Sequence, residues 1–406
     1  MNSVLRIVFM IFIVVSSRAQ TKILFDATKA ETANNADWII DADQFNLGYN
    51  TTAYIGGDEA NAQQIPTPAQ SGITATTSQE YWTGALSAWA VDAVKQGYEV
   101  ETLPYYASIT YGDVNNVQDL SNYNIFVVCE PNILFTNSEK TALINFVQNG
   151  GGLFMIADHN NSDRNGDGYD SPDIWNDLLQ NNDIQDNPFG ILFDYEYFTE
   201  ATTNVVNTDA PLIQGVFGEV TSVEFYGGTT MTIDTNQNPT AKGVVYRTAY
   251  TNTGSTGVMC AYASYGDGRV VALGDSSPAD DGTGDDGDNL YDGWIEDANG
   301  NHERLIMNAT IWLAEAGTVG IPNFNSFDKN IQLYTFENTC YFNAETGNNE
   351  VFSLVLFDNL GRKIDVREQL NSLETYSFQI PNYKGILYYH IVSNTQVVKR
   401  GKLFIN

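Results

Sequence analysis

The acidic stretch over residues 158–172, DHNNSDRNGDGYDSP, is the segment whose residue types and spacing could do chemistry. Residues 163–168 match the first six positions of a calcium-binding loop, Asp-x-Asn-x-Asp-Gly, in which oxygens two residues apart point at one ion. The match fails at the last position, which is Ile174 instead of Glu, so Asp170 or Asp173 would have to complete the shell. The stretch predicts a site for Ca²⁺, or for Mg²⁺ or another divalent cation, with a polar surface turn as the alternative. The predicted metal ligands are Asp163, Asn165, Asp167, Asp170 and Asp280.

Four predicted strands end in a carboxylate: Asp26, Glu130, Asp158 and Asp275. Ligands of open parallel sheets bind outside the carboxyl ends of the strands, so neighbouring strands would bring these side chains to one crevice. Packed carboxylates repel one another unless protons or cations intervene, and the crevice is therefore expected to hold a divalent metal or a carboxyl group of raised pKa. A helix-capping role is the alternative for any one of them. A second acidic stretch, residues 274–294, contains no Lys or Arg and also favours bound cations or solvation.

His159 follows Asp158 on the rim of the proposed crevice and is the better of two histidine candidates for an acid or base, the other being His302. The predicted catalytic residues are His159, Asp158 and Asp275. Aromatic side chains flank both acidic stretches, and such rings can stack on sugars, although packing in the core or at the rim is the alternative. The predicted substrate-binding residues are Trp175, Tyr291 and Trp294.

Apolar strand-like runs alternate with helical repeats through residues 20–318. Capping boxes at Thr77-x-x-Glu80 and Thr136-x-x-Glu139 predict the starts of two helices, and further helices are expected from about Asp173 and from Glu303. Alternation of this kind predicts an α/β domain with a mainly parallel sheet.

A linker is predicted at residues 319–330. Beyond it the sequence has no helix signals, and short alternating strands follow over residues 331–406. This pattern predicts a small C-terminal all-β sandwich. FSLVLFDNLGRKI and the last 24 residues, YKGILYYHIVSNTQVVKRGKLFIN, resemble the C-terminal sorting domain of type IX secretion cargo, without the Pro-Asn-Pro opening usual in that family. The resemblance implies that the type IX secretion machinery is a partner through residues 331–406, and that the protein crosses an outer membrane. An ordinary accessory sandwich is the alternative.

The segments KILFDAT, NIFVVCEPNILFTNSEKTALINFVQNGGGLFMIADH and YGDGRVVALGDSSP resemble the class I glutamine amidotransferase-like superfamily, in its divergent extracellular branches. The resemblance implies a flavodoxin-like three-layer sandwich. It does not imply amidotransferase activity, because Cys129 lies in an apolar strand without the flanking glycines and His302 is directly followed by Glu303. Function has to be argued from the site itself.

The charge balance, 19 Lys and Arg against 50 Asp and Glu, repels phosphate backbones and makes nucleic acid an unexpected partner. Residues 1–19 have the pattern of a signal peptide: Arg6, an apolar run too short to span a bilayer, and small residues at Ser17 and Ala19. No later segment is apolar enough to cross a membrane. The protein is expected to be exported through the periplasm and secreted or held at the cell surface. Its three cysteines are expected to be buried free thiols.

Two functions follow from these features. The leading expectation is a secreted, metal-dependent hydrolase of an extracellular polymer or ester, with a metal-bound water as nucleophile. The alternative is a non-catalytic protein, stabilised by calcium, that binds a glycan or a cell surface.

Overall fold

The structure is a computed structural model that describes the chain in two compact units, Met1–Thr318 and Val319–Asn406. In the first unit the described residues are 20–41, 67–206, 210–284, 291–294 and 298–316. In the second they are 331–336, 339–344, 351–357, 362–372, 374–380, 383–393 and 396–405. The predicted signal peptide, the predicted linker and residues 285–290 of the second acidic stretch lie outside the described residues.

The first unit is built around a nine-stranded, mostly parallel sheet. The strands of this unit, four of which form two separate pairs outside the sheet, are β1 (Lys22–Asp26), β2 (Glu99–Leu103), β3 (Ile125–Cys129), β4 (Gly152–Ile156), β5 (Ile191–Phe193), β6 (Phe198–Thr202), β7 (Gln214–Gly215), β8 (Gly218–Glu219), β9 (Val223–Gly228), β10 (Met231–Ile233), β11 (Lys242–Tyr246), β12 (Val258–Tyr265) and β13 (Gly268–Leu273). The order β2-β1-β3-β4-β13 is parallel throughout. This is the 2-1-3-4-5 order of flavodoxin-like sheets, whose switch point lies between β1 and β3.

An antiparallel extension continues the sheet beyond β13 through β12, β10 and β5, and β11 pairs with β12 from outside this path. Two further pairs, β6 with β9 and β7 with β8, stand apart from the sheet. The extension accounts for the irregular, β-rich stretch between the fourth and fifth parallel strands. It also places β9 close to the carboxyl end of β13, because Thr229 N–H donates to Gly274 O over 2.7 Å.

Among the described residues, four α-helices cover the two faces of the sheet: α1 (Ser87–Lys95), α2 (Asn137–Gln148), α3 (Ser171–Gln180) and α4 (His302–Ala314). One apolar cluster joins α1 and α4 to Ile125 and Val127 of β3, and the other joins α2 and α3 to Phe126 and Val128. Side chains of each parallel strand thus alternate between two buried layers, as expected when both faces of a sheet are covered. The fold is an α/β three-layer sandwich, and the predicted fold class is confirmed.

Of the two predicted capping boxes, the structure confirms one, and the other is wrong. Thr136 and Glu139 form the predicted capping box of α2, with reciprocal bonds between their side chains and backbone N–H groups. The box predicted at Thr77 and Glu80 is wrong, because residues Gln79–Tyr81 make only a short 3₁₀ turn and α1 begins at Ser87. Asp281 supplies the missing cap from a distant loop, since its Oδ2 accepts the Ala88 N–H over 2.7 Å.

The second unit is entirely β among its described residues. Its strands are β14 (Ile331–Phe336), β15 (Thr339–Ala344), β16 (Val351–Phe357), β17 (Lys363–Asn371), β18 (Thr375–Gln379), β19 (Gly385–Ser393) and β20 (Gln396–Ile405). They form a three-stranded sheet, β14-β15-β18, and a four-stranded sheet, β17-β16-β19-β20. Phe342 of one sheet packs against Phe352 of the other, with ring centroids 5.9 Å apart, so the two sheets share one core. Residues 358–361 and 381–382 lie outside the described residues.

Candidate functional site

The four strand-ending carboxylates lie at one edge of the sheet, as predicted, because β1, β3, β4 and β13 are parallel neighbours. All four are buried, with exposures of 2% for Asp26, 0% for Glu130, 4% for Asp158 and 0% for Asp275. Burial of this many acidic groups is unfavourable unless each one finds hydrogen bonds, a cation or a proton. The hydrogen-bond and ion-pair partners of each carboxyl group therefore determine its charge and its possible chemical role.

Arg164 is the cation of this site, although sequence reasoning passed over it. Its Nε is paired with Glu130 Oε1, and its Nη2 lies 3.4 Å from Asp158 Oδ2. Its Nη1 donates to Asn35 Oδ1 over 2.9 Å, so one guanidinium connects three segments of the edge. A planar guanidinium with several donors is suited to this bridging role. Arg164 is the single Lys or Arg within residues 158–172, and this isolated positive charge is the sequence signal that could have identified it.

Glu130 has an unusual backbone as well as a buried charge. It is the first residue after β3, and its φ of 49° lies in the left-handed region, which is costly for a residue with a side chain. Its second oxygen, Oε2, accepts the Ser276 hydroxyl over 3.0 Å. Ser276 is itself buried, so this serine serves Glu130 and is not presented as a nucleophile.

Asp275 is held by backbone and side-chain donors. Its Oδ1 accepts the N–H and the hydroxyl of Ser277, and its Oδ2 accepts the Tyr226 N–H over 2.6 Å. Burial raises the pKa of Asp275 to about 7, against these hydrogen bonds, which lower it. Asp275 therefore fixes the loops at the end of β13 and places Tyr226 at the site.

Asp158 and His159 form the pair most suited to moving a proton. Burial raises the pKa of Asp158 well above its ordinary value, and the nearby charges of Glu130 and Asp275 raise it further. His159 Nε2 lies 3.7 Å from Asp158 Oδ2, and the imidazole is 22% exposed. Its Nδ1 is 2.5 Å from Asn160 O, an acceptor that fixes this nitrogen as the N–H. Nε2 is then the nitrogen that can take or give a proton.

Tyrosines form the rim of this pair. The ring of Tyr197 meets His159 edge-on, with centroids 4.2 Å apart, and Tyr197 is 66% exposed. Gly227, at φ 122°, lies against both rings: a Cβ there would meet Tyr197 Cε2 at 3.2 Å and His159 Cδ2 at 3.3 Å. Tyr226 stacks on Tyr291, with centroids 5.6 Å apart. The predicted substrate-binding residue Tyr291 is therefore part of this rim.

The other two predicted substrate-binding residues, Trp175 and Trp294, lie in the core. Trp175 is fully buried between α3 and the sheet, and its indole N–H donates to Ile156 O over 2.9 Å. Trp294 is 2% exposed and stacks on Trp89, with centroids 6.5 Å apart. These two indoles are buried and therefore offer no face to a ligand. Their acidic neighbours in the sequence concealed this burial.

The calcium-like loop is closed by its own backbone. Asp163 accepts the N–H groups of Gly166, Asp167 and Gly168. Both carboxylate oxygens of Asp170 accept N–H groups, from Asp163 and Asn161, and Asp170 also caps α3. Backbone hydrogen bonds to Asp163 and Asp170 thus hold the loop closed.

The remaining two predicted ligands of this set behave in the same way. Asn165 Oδ1 accepts the Asp167 N–H, and Asp167 accepts the Tyr169 N–H and the side-chain amide of Asn165. Across the described residues, no group of three or more His, Cys, Asp or Glu side chains is arranged to hold a metal ion. The metal site at residues 163–168 stays a prediction.

Asp280 lies apart from the calcium-like loop, in the second acidic stretch. It is fully buried, and it accepts the N–H groups of Gly282 and Tyr291 over 2.9 and 2.7 Å. Burial raises the pKa of Asp280 to about 8 and that of Asp281 to about 7. Asp280 thereby positions the backbone of Tyr291 at the rim.

The second histidine candidate is a core residue. His302 is 1% exposed, donates from Nδ1 to Gly293 O over 2.7 Å, and accepts the Glu224 N–H at Nε2 over 2.9 Å. Both ring nitrogens are used, one in joining α4 to β9 and the other in joining it to the loop at Gly293. Cys129, Cys260 and Cys340 are free and buried, as expected.

No family model matches the chain, and no curated protein matches it. Solved structures similar to it include the following three. The N-terminal domain of mmIFT52 is 15% identical with a TM-score of 0.40, covering 72% of this chain and 97% of that one. A cytoplasmic protein from Salmonella typhimurium is 11% identical with a TM-score of 0.36, covering 72% and 98%. A ThuA-like protein from Parabacteroides merdae is 10% identical with a TM-score of 0.34, covering 73% and 90%.

These TM-scores are below 0.5, so the three likenesses do not bear on activity. The function therefore has to follow from the side chains at the sheet edge. In the described part of the chain, no helix is both long and apolar enough to cross a membrane.

Proposed function

We propose that the protein is an exported hydrolase in which His159 and Asp158 transfer protons at the carboxyl end of β4. The observation that carries this proposal is the pairing of a buried carboxyl group of raised pKa with a partly exposed imidazole nitrogen 3.7 Å away. Perturbed acids beside a histidine in a sheet-edge crevice are typical of acid–base sites. Of the two functions expected from the sequence, this geometry favours the enzyme.

The proposed chemistry uses only this chain's residues. His159 Nε2 accepts a proton from a water molecule as that water attacks the carbonyl carbon of an ester, and the imidazolium that forms gives this proton to the departing alkoxide as the C–O bond breaks. Asp158 positions His159, because its Oδ1 accepts the His159 N–H over 2.8 Å. The guanidinium of Arg164 keeps Asp158 and Glu130 in place. The metal-bound water expected from the sequence stays a prediction, and this step does not use it.

The charge of the chain limits the substrate class. A protein with 50 acidic and 19 basic side chains disfavours anionic polymers, and the rim around His159 is made of tyrosines. We therefore infer an uncharged substrate. The exposed rings of Tyr195 and Tyr197 favour the second candidate function, a glycan-binding protein without turnover, to the extent that they can stack on sugar rings.

One experiment separates these two functions. The chain without residues 1–19 is tested against panels of chromogenic neutral esters and glycosides, and its binding to a glycan array is measured in parallel. Turnover by the unmodified chain, abolished in the Asp158→Asn/His159→Ala double variant, supports the hydrolase. Glycan binding that survives in the double variant, with no turnover by either protein, contradicts the hydrolase and supports the binding function.

Export is a separate part of the proposal. It is supported by the signal-like pattern of residues 1–19 and by the separate β unit that carries the sorting-domain resemblance. Fusion of residues 319–406, behind a signal peptide, to a fluorescent protein in a bacterium with type IX machinery should direct the fusion out of the cell. Retention of the fusion in the periplasm would contradict the sorting role.

A further inference from the structure

Two buried carboxyl groups face each other at the end of β1. Asp26 is 2% exposed and Glu31 is 0% exposed. One oxygen of each has a backbone partner: Asp26 Oδ1 accepts the Thr28 N–H over 3.0 Å, and Glu31 Oε2 accepts the Lys29 N–H over 2.8 Å. The other two, Asp26 Oδ2 and Glu31 Oε1, are buried without any donor.

The two carboxyl groups lie within hydrogen-bonding range of each other. Oxygens of two carboxylates can form a hydrogen bond only when a proton lies between them. Burial raises the pKa of Asp26 to about 6, and burial and the Asp26 charge raise the pKa of Glu31 well above its ordinary value. The pair titrates as one unit and holds its shared proton to a higher pH than an exposed carboxyl group would.

The charged and titratable groups around the pair favour a single negative charge. On the same loop, the Lys29 ammonium attracts Asp26, and it is bonded to Glu139 of α2 over 2.8 Å. Cys129 of β3 lies near Glu31, and Tyr105 packs against Ala30 and Ala33 of the loop. One nearby lysine, already paired, does not offset two buried charges, so the second carboxylate requires the shared proton.

The loop that contains Glu31 is tied to the proposed active site. Asn132 N–H donates to Lys29 O over 2.7 Å, and Asn35 Oδ1 accepts from Arg164 over 2.9 Å. Ala30 and Asn34 have φ values of 58° and 57°, in the left-handed region. Such residues persist only where surrounding contacts hold them, so the loop depends on anchors like the Asp26–Glu31 pair.

We propose that Asp26 and Glu31 form a proton-operated latch. One proton shared between their facing oxygens holds residues 27–41 against the sheet edge, and loss of that proton at alkaline pH releases this loop and its contact with Arg164. The latch goes beyond the proposed hydrolase and does not depend on it, because it is read from the loop itself.

Trypsin provides a direct readout of the latch. Lys29 is 5% exposed, so cleavage after it requires the loop to open, and no other Lys or Arg occurs between Lys29 and Lys95. Once opening releases a proton, the open population and the rate of cleavage should rise about tenfold per pH unit. The rate is divided by that of a free peptide spanning residues 24–34, which removes the pH dependence of trypsin.

Two variants replace the shared proton by a permanent N–H. In Asp26→Asn the amide can donate to Glu31, and in Glu31→Gln it can donate to Asp26. Either variant should make the corrected cleavage rate nearly independent of pH. Asp183→Asn, at an exposed aspartate, is the matched control and should keep the slope of the unmodified protein.

Each outcome decides for or against the latch. A rate that rises with pH in the unmodified protein and is flat in both variants supports it. A flat rate in the unmodified protein overturns it, even if neither variant folds. A slope that persists in a folded variant also overturns it. Suppression of the slope by calcium chloride, with recovery in EDTA, would show a cation between the two carboxylates and overturn the shared proton.

Discussion

His159 Nε2 lies 3.7 Å from Asp158 Oδ2, and the two residues are neighbours in the chain. The carboxyl group belongs to the buried end of β4, whereas the imidazole is 22% exposed. A proton can therefore pass between the interior and the solvent through two adjacent side chains. The arrangement depends on Arg164, which holds Asp158 and Glu130 from the acidic loop.

Replacement of Arg164 by Met should destabilise the fold, because it leaves the buried Glu130 carboxylate without its cation. Removal of one partner of a buried ion pair costs about 3–5 kcal/mol. The free energy of unfolding from urea denaturation measures this loss, with Arg304→Gln, at an exposed arginine, as the control. A loss below about 1 kcal/mol, as for a surface pair, would show that Arg164 does not have this role.

Stability should fall as the pH rises from about 4 to about 8. The pKa values of Asp275 and Asp281, about 7, and of Asp280, about 8, are raised by burial above the ordinary value of 3.8. A group with a raised folded-state pKa binds its proton more tightly when folded. Its stabilisation is complete below pH 3.8 and is lost as the pH approaches the folded-state value.

Urea denaturation at fixed temperature across this pH range measures that trend. Each unit of pKa difference corresponds to about 1.4 kcal/mol, so the total change should amount to several kcal/mol. Repulsion among surface charges acts in the same direction but is screened by salt, whereas buried groups are screened far less. A decline that persists in high salt supports the buried acids, and a stability maximum near pH 8 would contradict them.

Calcium should not stabilise the protein. The carboxylate oxygens of Asp163 and Asp170 accept backbone N–H groups, so these hydrogen bonds hold the loop closed without an ion. A ligand at a hundred times its dissociation constant would add about 2.7 kcal/mol, which is several degrees in melting temperature. Thermal unfolding in calcium chloride and in EDTA should therefore coincide. A higher melting temperature in calcium would restore the metal site expected from the sequence.

Substitution of Gly227 by Ala should impair the site more than the fold. The new Cβ would press on Tyr197 and His159 at 3.2 and 3.3 Å. Displacement of His159 should lower kcat/KM by about tenfold to a hundredfold. Gly112→Ala is the matched control, since Gly112 also has a left-handed backbone but open space around its Cα. Equal activity in the two variants would remove Gly227 from the site.

The sequence predicted the sheet edge well because strand ends are local features. Asp26, Glu130, Asp158 and Asp275 each follow an apolar run, and the alternation of strands and helices implied parallel neighbours. The fold class and the free buried cysteines were predicted for the same reason. Binary patterning along the chain carries this information without any knowledge of distant contacts.

What the sequence could not show depended on contacts between distant segments. Arg164 binds Glu130, 34 positions away, and Asp281 caps a helix 193 positions away at Ala88. The acidic neighbours of Trp175 favour a ring at the surface, whereas contacts with distant segments bury it in the core. The calcium pattern at residues 163–168 was ambiguous, since the same spacing of Asp and Asn that can bind an ion can also accept backbone N–H groups.

The most direct test of the account is the turnover of a His159→Gln variant on the best substrate from the panels. Loss of a general acid–base residue lowers the rate by about 10²–10⁴-fold. The same substitution at His390, in the C-terminal unit, should leave kcat/KM unchanged, and both variants should keep the unfolding profile of the unmodified protein. If His159→Gln retains full kcat/KM, proton transfer at this pair is refuted.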